Sequence, residues 1–167
     1  MATTKQVTDA IAAVLKEIQW EGRPAFQRVE TTDLDDLIRA MQELMVFQDR
    51  FALIIPGSRE FQTTLKGTEQ HVQRQMNLDV VITDRNAGDR TKSFKGSNTN
   101  PGTSALADLV INALIGKLLN GAFITPTDGD QFSIGIEENP TVNRAAYRQG
   151  FRVIGGSILT DIQTKVW

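Results

Sequence analysis

The sequence predicts a single α+β domain spanning residues 1–167, an α/β arrangement in which a mixed, mainly antiparallel sheet is flanked by helices. Three observations lead there. Residues 71–83 alternate between apolar and polar side chains, which is the period of a strand with one buried face. Residues 7–18 and 34–45 instead carry apolar side chains at helical spacing. A chain of 167 residues with 40 % apolar content is long enough for one ordinary core and too short for two sizeable ones.

The first helix rests on Val7, Ile11, Val14, Leu15 and Ile18, with Ala10, Ala12 and Ala13 adding propensity. Gly22-Arg23-Pro24 ends it, and residues 25–29 form a weak strand candidate. Thr31-Thr32-Asp33 opens a second helix. A Thr at the N-cap accepts a backbone N–H, and Asp33, Asp35 and Asp36 sit where the helix dipole favours negative charge. The apolar run 51–55, closed by Pro56-Gly57, reads as a buried strand, and residues 58–68 as a polar hinge.

In the strand over 71–83, Val72, Met76, Leu78, Val80 and Ile82 share one face, with Arg74 as the exception. His71, Gln73, Gln75, Asn77, Asp79 and Thr83 line the other, with Val81 as the exception. That amide-rich side suggests a neighbour other than plain solvent. Residues 85–101 have no period and read as a long, flexible basic loop that orders against a partner, with Phe94 as anchor and Arg90, Lys92 and Lys95 as steering cations.

Thr103-Ser104 begins a third helix, with Leu106, Leu109, Val110, Ala113 and Leu114 as its buried stripe and Asn120-Gly121 as its stop. Residues 123–126 and 131–137 read as strands separated by a turn at Asp128-Gly129-Asp130. Pro140 interrupts. A final strand runs from Ala146 to about Ile162, with Tyr147, Phe151 and Val153 on one face and Arg148 and Arg152 on the other. Gly155-Gly156 shifts its apolar phase, as a bulge would. The two longest strands are expected to contain residues 72–82 and 147–153.

The net charge of −2 shows no overall pull toward nucleic acid or an anionic membrane. Its distribution is uneven: −4 over residues 1–84, +3 over 85–101, −4 over 102–142 and +3 over 143–167. With no Cys and one His, a disulfide framework, a thiolate metal site and a Cys nucleophile are all excluded. No apolar run approaches the roughly 18 residues of a membrane span, and the N-terminus lacks the pattern of a signal peptide, so a soluble intracellular domain is expected.

Enzymatic chemistry is not expected. A metal-dependent nuclease would need a D/E-x-K triplet after a first acid such as Asp79, and Asp89-Arg90-Thr91-Lys92 is one residue too long. Phosphate-loop, nucleophile-elbow and dinucleotide-binding motifs are missing. Glu137 and Glu138 are adjacent on a strand and point to opposite faces, so they cannot converge on one ion. No catalytic, metal or cofactor residues are therefore assigned.

The order of elements is a helix, an acid-capped helix at Thr-Thr-Asp-Leu-Asp-Asp, the run 51–55, a long alternating strand ending Leu-Asp-Val-Val-Ile-Thr, a polar loop, then a helix and hairpin strands. Over nearly the whole chain this order resembles the tail terminator, or tail-to-head joining, proteins of tailed bacteriophages. The resemblance implies a non-enzymatic virion protein at the head-proximal end of the tail, assembled in the host cytoplasm. It implies a homo-oligomeric ring, six-membered in that family, which caps the tail tube, ends its polymerisation and presents a surface to the head connector. The implied partners are other copies of the chain, the tail tube protein, the head–tail connector or neck protein and, in a contractile tail, the sheath protein. Membranes and specific nucleic-acid binding are not implied, although DNA would pass through the ring. The alternatives are a neck or head-completion protein, another small tail component, a nucleic-acid-binding module using residues 85–101, or a degenerate enzyme. On the ring reading, Arg90, Lys92, Phe94, Lys95, Arg148 and Arg152 are expected to meet acidic surface such as Asp33, Asp35 and Asp36 on a neighbour.

Overall fold

The computed structural model describes residues 4–33, 35–37, 39–41, 43, 50–66, 69–84, 90–119, 121–136 and 139–161. Helix α1 (Thr4–Glu17) buries Val7, Ile11 and Leu15, as its 3.6-residue period requires. A two-stranded ribbon of β1 (Gln19–Trp20) and β2 (Arg23–Pro24) follows, with the Arg50 guanidinium 5.3 Å above the Trp20 ring. The main sheet comprises β3 (Arg28–Thr31), β4 (Phe51–Lys66), β5 (Glu69–Thr83), β6 (Leu118–Leu119), β7 (Ala122–Ile136) and β8 (Asn139–Asp161). Their spatial order is β3-β4-β5-β8-β7-β6. The β3–β4 pair is parallel and every other pair is antiparallel, so the sheet is mixed and mainly antiparallel. Helix α2 (Arg90–Lys95) and helix α3 (Thr103–Leu114) lie between β5 and β6 in the chain.

The alternation of β5 divides the apolar side chains between two faces. Met76, Leu78, Val80 and Ile82 join Ala52, Ile54, Phe151 and Val153 beneath α1 and α3, and this is the main core. Val81, the exception in the sequence pattern, instead packs with Phe51, Leu53, Ile55 and Ala146 on the opposite face. That smaller cluster is covered by Met41, with Leu37 and Ala40 beside it. Arg74, the other exception, is buried.

Several strands are longer than the sequence pattern suggests. Pro56-Gly57 does not close β4. The register shifts between Pro56 and Arg59, and the strand continues to Lys66 through the expected polar hinge. A Cβ on Gly57 would sit 2.9 Å from the Asn77 carbonyl oxygen, so the bulge needs a residue without one. Likewise, Asp128-Gly129-Asp130 is no turn between two strands but part of a register shift inside the continuous β7. Strand β8 begins at Asn139, before Pro140, where it has moved past the end of β5 and has β7 as its partner.

The expected bulge at Gly155-Gly156 is present, opposite the step from Gln73 to Gln75. Residues 147–153 lie in the longest strand, of 23 residues. Residues 72–82 lie in one of 15, which β4 exceeds at 16. Helix α3 stops at Leu114 rather than at Asn120-Gly121; Gly121, at φ 78°, belongs to the turn between β6 and β7. The helix cap after β3 is set by Asp33, whose Oδ1 accepts the Asp36 N–H at 2.9 Å, one residue beyond the expected Thr.

The bulges let two long hairpins project in opposite directions. At one end, β4, β5 and the last part of β8 run past Gln75 as a three-stranded arm, with Lys66 paired to Glu69 and Glu69 to Asp161. At the other end, β7 and β8 extend beyond the Thr83–Ala146 pair as a two-stranded arm.

Candidate functional site

Of the loop expected over 85–101, residues 85–89 lie outside the described residues, while residues 90–101 contain α2 and are fastened to the end of β5. Asp84 is fully buried, and its Oδ2 accepts hydrogen bonds from Asn100 Nδ2 at 2.9 Å and from the backbone N–H of Gly102. Asn100 Nδ2 also donates to the Lys92 carbonyl at 2.9 Å, and the Ser97 hydroxyl donates to Asn100 Oδ1. Gly102 caps α3 with φ 83°, and a Cβ there would fall 2.6 Å from the Phe94 carbonyl oxygen. Polar side chains and a backbone crossing hold this segment, which explains why no apolar period announces it.

Arg90 occupies the first position of α2. Lys92 and Lys95 are exposed and Phe94 is half-buried. Phe94 lines an open cleft of about 470 Å³ with Thr91, Lys95 and Gln131, the last from β7. Lys95 forms no ion pair among the described residues. Among the described residues the cleft lining thus combines an aromatic ring, a cation and two uncharged polar side chains. Asp33, Asp35 and Asp36 are exposed, and no ion pair neutralises them among the described residues.

Arg148 and Arg152 do share a face, the one opposite α1, because their partners across β5 are Val81 and Asn77. Their surroundings differ. Arg148 is held by its own chain: Nη1 lies 2.9 Å from Asp79, Nε 2.8 Å from Asp130 and Nη2 3.4 Å from Asp128. Partial burial works against the charge on this guanidinium, but the hydrogen bonds and charges of Asp130 and Asp79 outweigh it and raise the pKa above its ordinary value. The expectation that Arg148 reaches outward alongside Arg152 thus meets a side chain already clamped across three strands. Arg152 is exposed, in register with Thr125 and Asn77 and in no ion pair among the described residues.

Exposed apolar side chains are a further feature, missed by the sequence reading. Phe61 is 59 % exposed and Leu65 65 %, both on the three-stranded arm. They share the face of Met76 and therefore continue the main core face beyond α1. Leu118 and Phe123, each 58 % exposed, are cross-strand partners, and Phe123 is in turn paired with Ile154. This row lies on the opposite face, since Ala122 and Ile124 on either side of Phe123 point into the main core. The alternation Phe61-Thr63-Leu65 carried the signal for the arm.

Among the described residues, no group of three His, Asp or Glu side chains could hold a metal ion, and no helix is long and apolar enough to cross a membrane. No protein-family model matches the chain, and no curated protein matches it.

Proposed function

We propose that the chain is a structural subunit of a virus tail: a tail-terminator-like protein that closes into a ring with copies of itself, caps the tail tube and offers a surface for head attachment. The observation that carries this reading is the exposure of Phe61, Leu65, Leu118 and Phe123 on strands outside the helix cover. Large apolar side chains exposed on strands, two on the three-stranded arm and two at the β6–β7 edge, gain free energy when a protein surface covers them. They also lie on opposite faces of the sheet, so contacts between copies joining one face to the other are heterologous and close into a ring when the rotation per subunit permits. The order of elements and the mixed sheet support the resemblance to tail terminators on which the tube, connector and sheath partners rest.

The test is a mass measurement by light scattering on the chain alone and with purified tail tubes, alongside tube length. A closed oligomer and arrested tube growth are expected. The double variant Phe61→Ser with Leu65→Ser should keep the circular dichroism of the parent and lose association. A chain that stays monomeric with and without tubes, and leaves tubes growing, refutes the proposal. Binding to free DNA that weakens steeply with salt would favour a nucleic-acid-binding module instead.

A further inference from the structure

We infer that the cleft formed by Phe94, Lys95, Thr91 and Gln131 receives the acidic turn of Asp33, Asp35 and Asp36 from a second copy of the chain. This inference rests on the self-association proposed above and specifies one contact within it.

Charge complementarity is the first support. Between residues 90 and 107 the chain has Arg90, Lys92 and Lys95 and no acid. The turn presents three exposed carboxylates with no cation paired to them among the described residues. Lys95 and these carboxylates are thus opposite charges with no ion pair among the described residues, and Phe94, which lines the cleft with Lys95, offers apolar surface for a partner to cover.

Position is the second support. The turn follows β3, and the Thr32 N–H is bonded to the Ile54 carbonyl at 3.0 Å. The cleft includes Gln131 of β7, which is in register through Tyr147 and Ile82 with Ala52. Ala52 and Ile54 are neighbours on the same face of β4, so turn and cleft lie at nearby levels of the sheet. Laterally, β5 and β8 lie between β4 and β7, which puts four inter-strand spacings, roughly 19 Å, between β3 and β7. A turn anchored on one side of the sheet cannot reach a cleft anchored across it, so the cleft of one copy is left to the turn of another.

Beyond Phe123, β7 has no outer strand partner among the described residues, because β6 pairs with Ala122 and Phe123 alone. A neighbour therefore meets no strand in its way. The contact joins unlike surfaces, which makes it heterologous and propagates it from copy to copy.

Charge reversal tests the pairing without disturbing the core, since Lys95, Asp35 and Asp36 are exposed. Two variants are needed, Lys95→Glu and the double change Asp35→Lys with Asp36→Lys. Each is expected to keep the parent circular dichroism, with the double change lowering the melting midpoint slightly through the helix dipole, and to weaken self-association about tenfold or more at low salt. Mixing the two restores it, because every cleft then finds a turn of opposite sign; so does placing all three changes in one chain. If both variants assemble as the parent does, this contact is wrong and the ring reading stands. If assembly is lost but neither the mixture nor the triple variant restores it, the pairing is wrong. A parent chain that is monomeric under all conditions overturns both this contact and the ring.

Discussion

Replacing Asp84 by Ala tests how residues 90–102 are held. The carboxylate is fully buried and accepts hydrogen bonds from the Asn100 amide and the Gly102 N–H. Truncation leaves at least these two donors facing a void the size of a carboxyl group. A buried donor without an acceptor costs about 1–3 kcal/mol, and part of that is recovered because Asn100 keeps its bond to the Lys92 carbonyl. A loss of about 3 kcal/mol is therefore expected, which lowers the midpoint of a domain this size by roughly 6–12 °C. Asp84→Asn keeps one acceptor but turns the other oxygen into a donor, so it should fall between the parent and Ala. Urea denaturation gives the stability, and amide exchange localises the change. Faster exchange should be concentrated at Gly96, Ser97, Gly102 and the first turn of α3. An Ala variant within about 0.5 kcal/mol of the parent, with exchange unaltered over 90–106, would refute the view that this carboxylate organises the segment.

Two further outcomes are expected. Arg148→Met removes the counter-charge of Asp79, Asp128 and Asp130; because the acids are partly to largely exposed, it should cost about 1 kcal/mol in dilute buffer, and the cost should shrink in 1 M salt, where the Debye length is about 3 Å, as followed by urea midpoints at both ionic strengths. Gly102→Ala places a Cβ at φ 83° and 2.6 Å from the Phe94 carbonyl oxygen; it should destabilise by more than the 1–2 kcal/mol of a left-handed residue in open space, with a thermal melt as the readout.

The parts of the fold legible in the sequence are those that apolar periodicity controls. The β5 pattern was readable because one face lies on the main core while the other is largely polar, and even its exceptions proved structural: Val81 packs in the smaller cluster on the second face and Arg74 is buried. The phase change at Gly155-Gly156 was readable for the same reason. Strand length was less legible in β4 and β7, where Pro56-Gly57 and Asp128-Gly129 carry turn chemistry but serve as bulges within a continuing ladder. Local sequence cannot separate those outcomes, because the deciding contacts come from Asn77 and from the Gln149–Phe151 stretch of β8, distant in the chain. Helix α2 was illegible because what tethers it is polar: the buried Asp84 carboxylate after β5, the Asn100 amide and a close backbone crossing at Gly102. As for the candidate site, its charges and Phe94 were readable as residue types. The capture of Arg148 by three acids was not, since it depends on register among β5, β7 and β8.

The arrangement of the sheet also dictates an order of assembly in time. The β4–β5 and β7–β8 ladders each join stretches close together in the chain, with Lys66 paired to Glu69 and Ile136 to Asn139. Their closure carries a small entropic cost, and hairpins of this kind form within about 1–10 μs. The seam between β5 and β8 is different: it joins Thr83 to Ala146 and Glu69 to Asp161, across a loop containing α2, α3 and β7. Non-local pairing is the slow step in folding. The two hairpins are thus the early units, and the β5–β8 seam closes late. Until it does, the apolar side chains of Leu78, Val80 and Phe151 stay open to water on nascent chains.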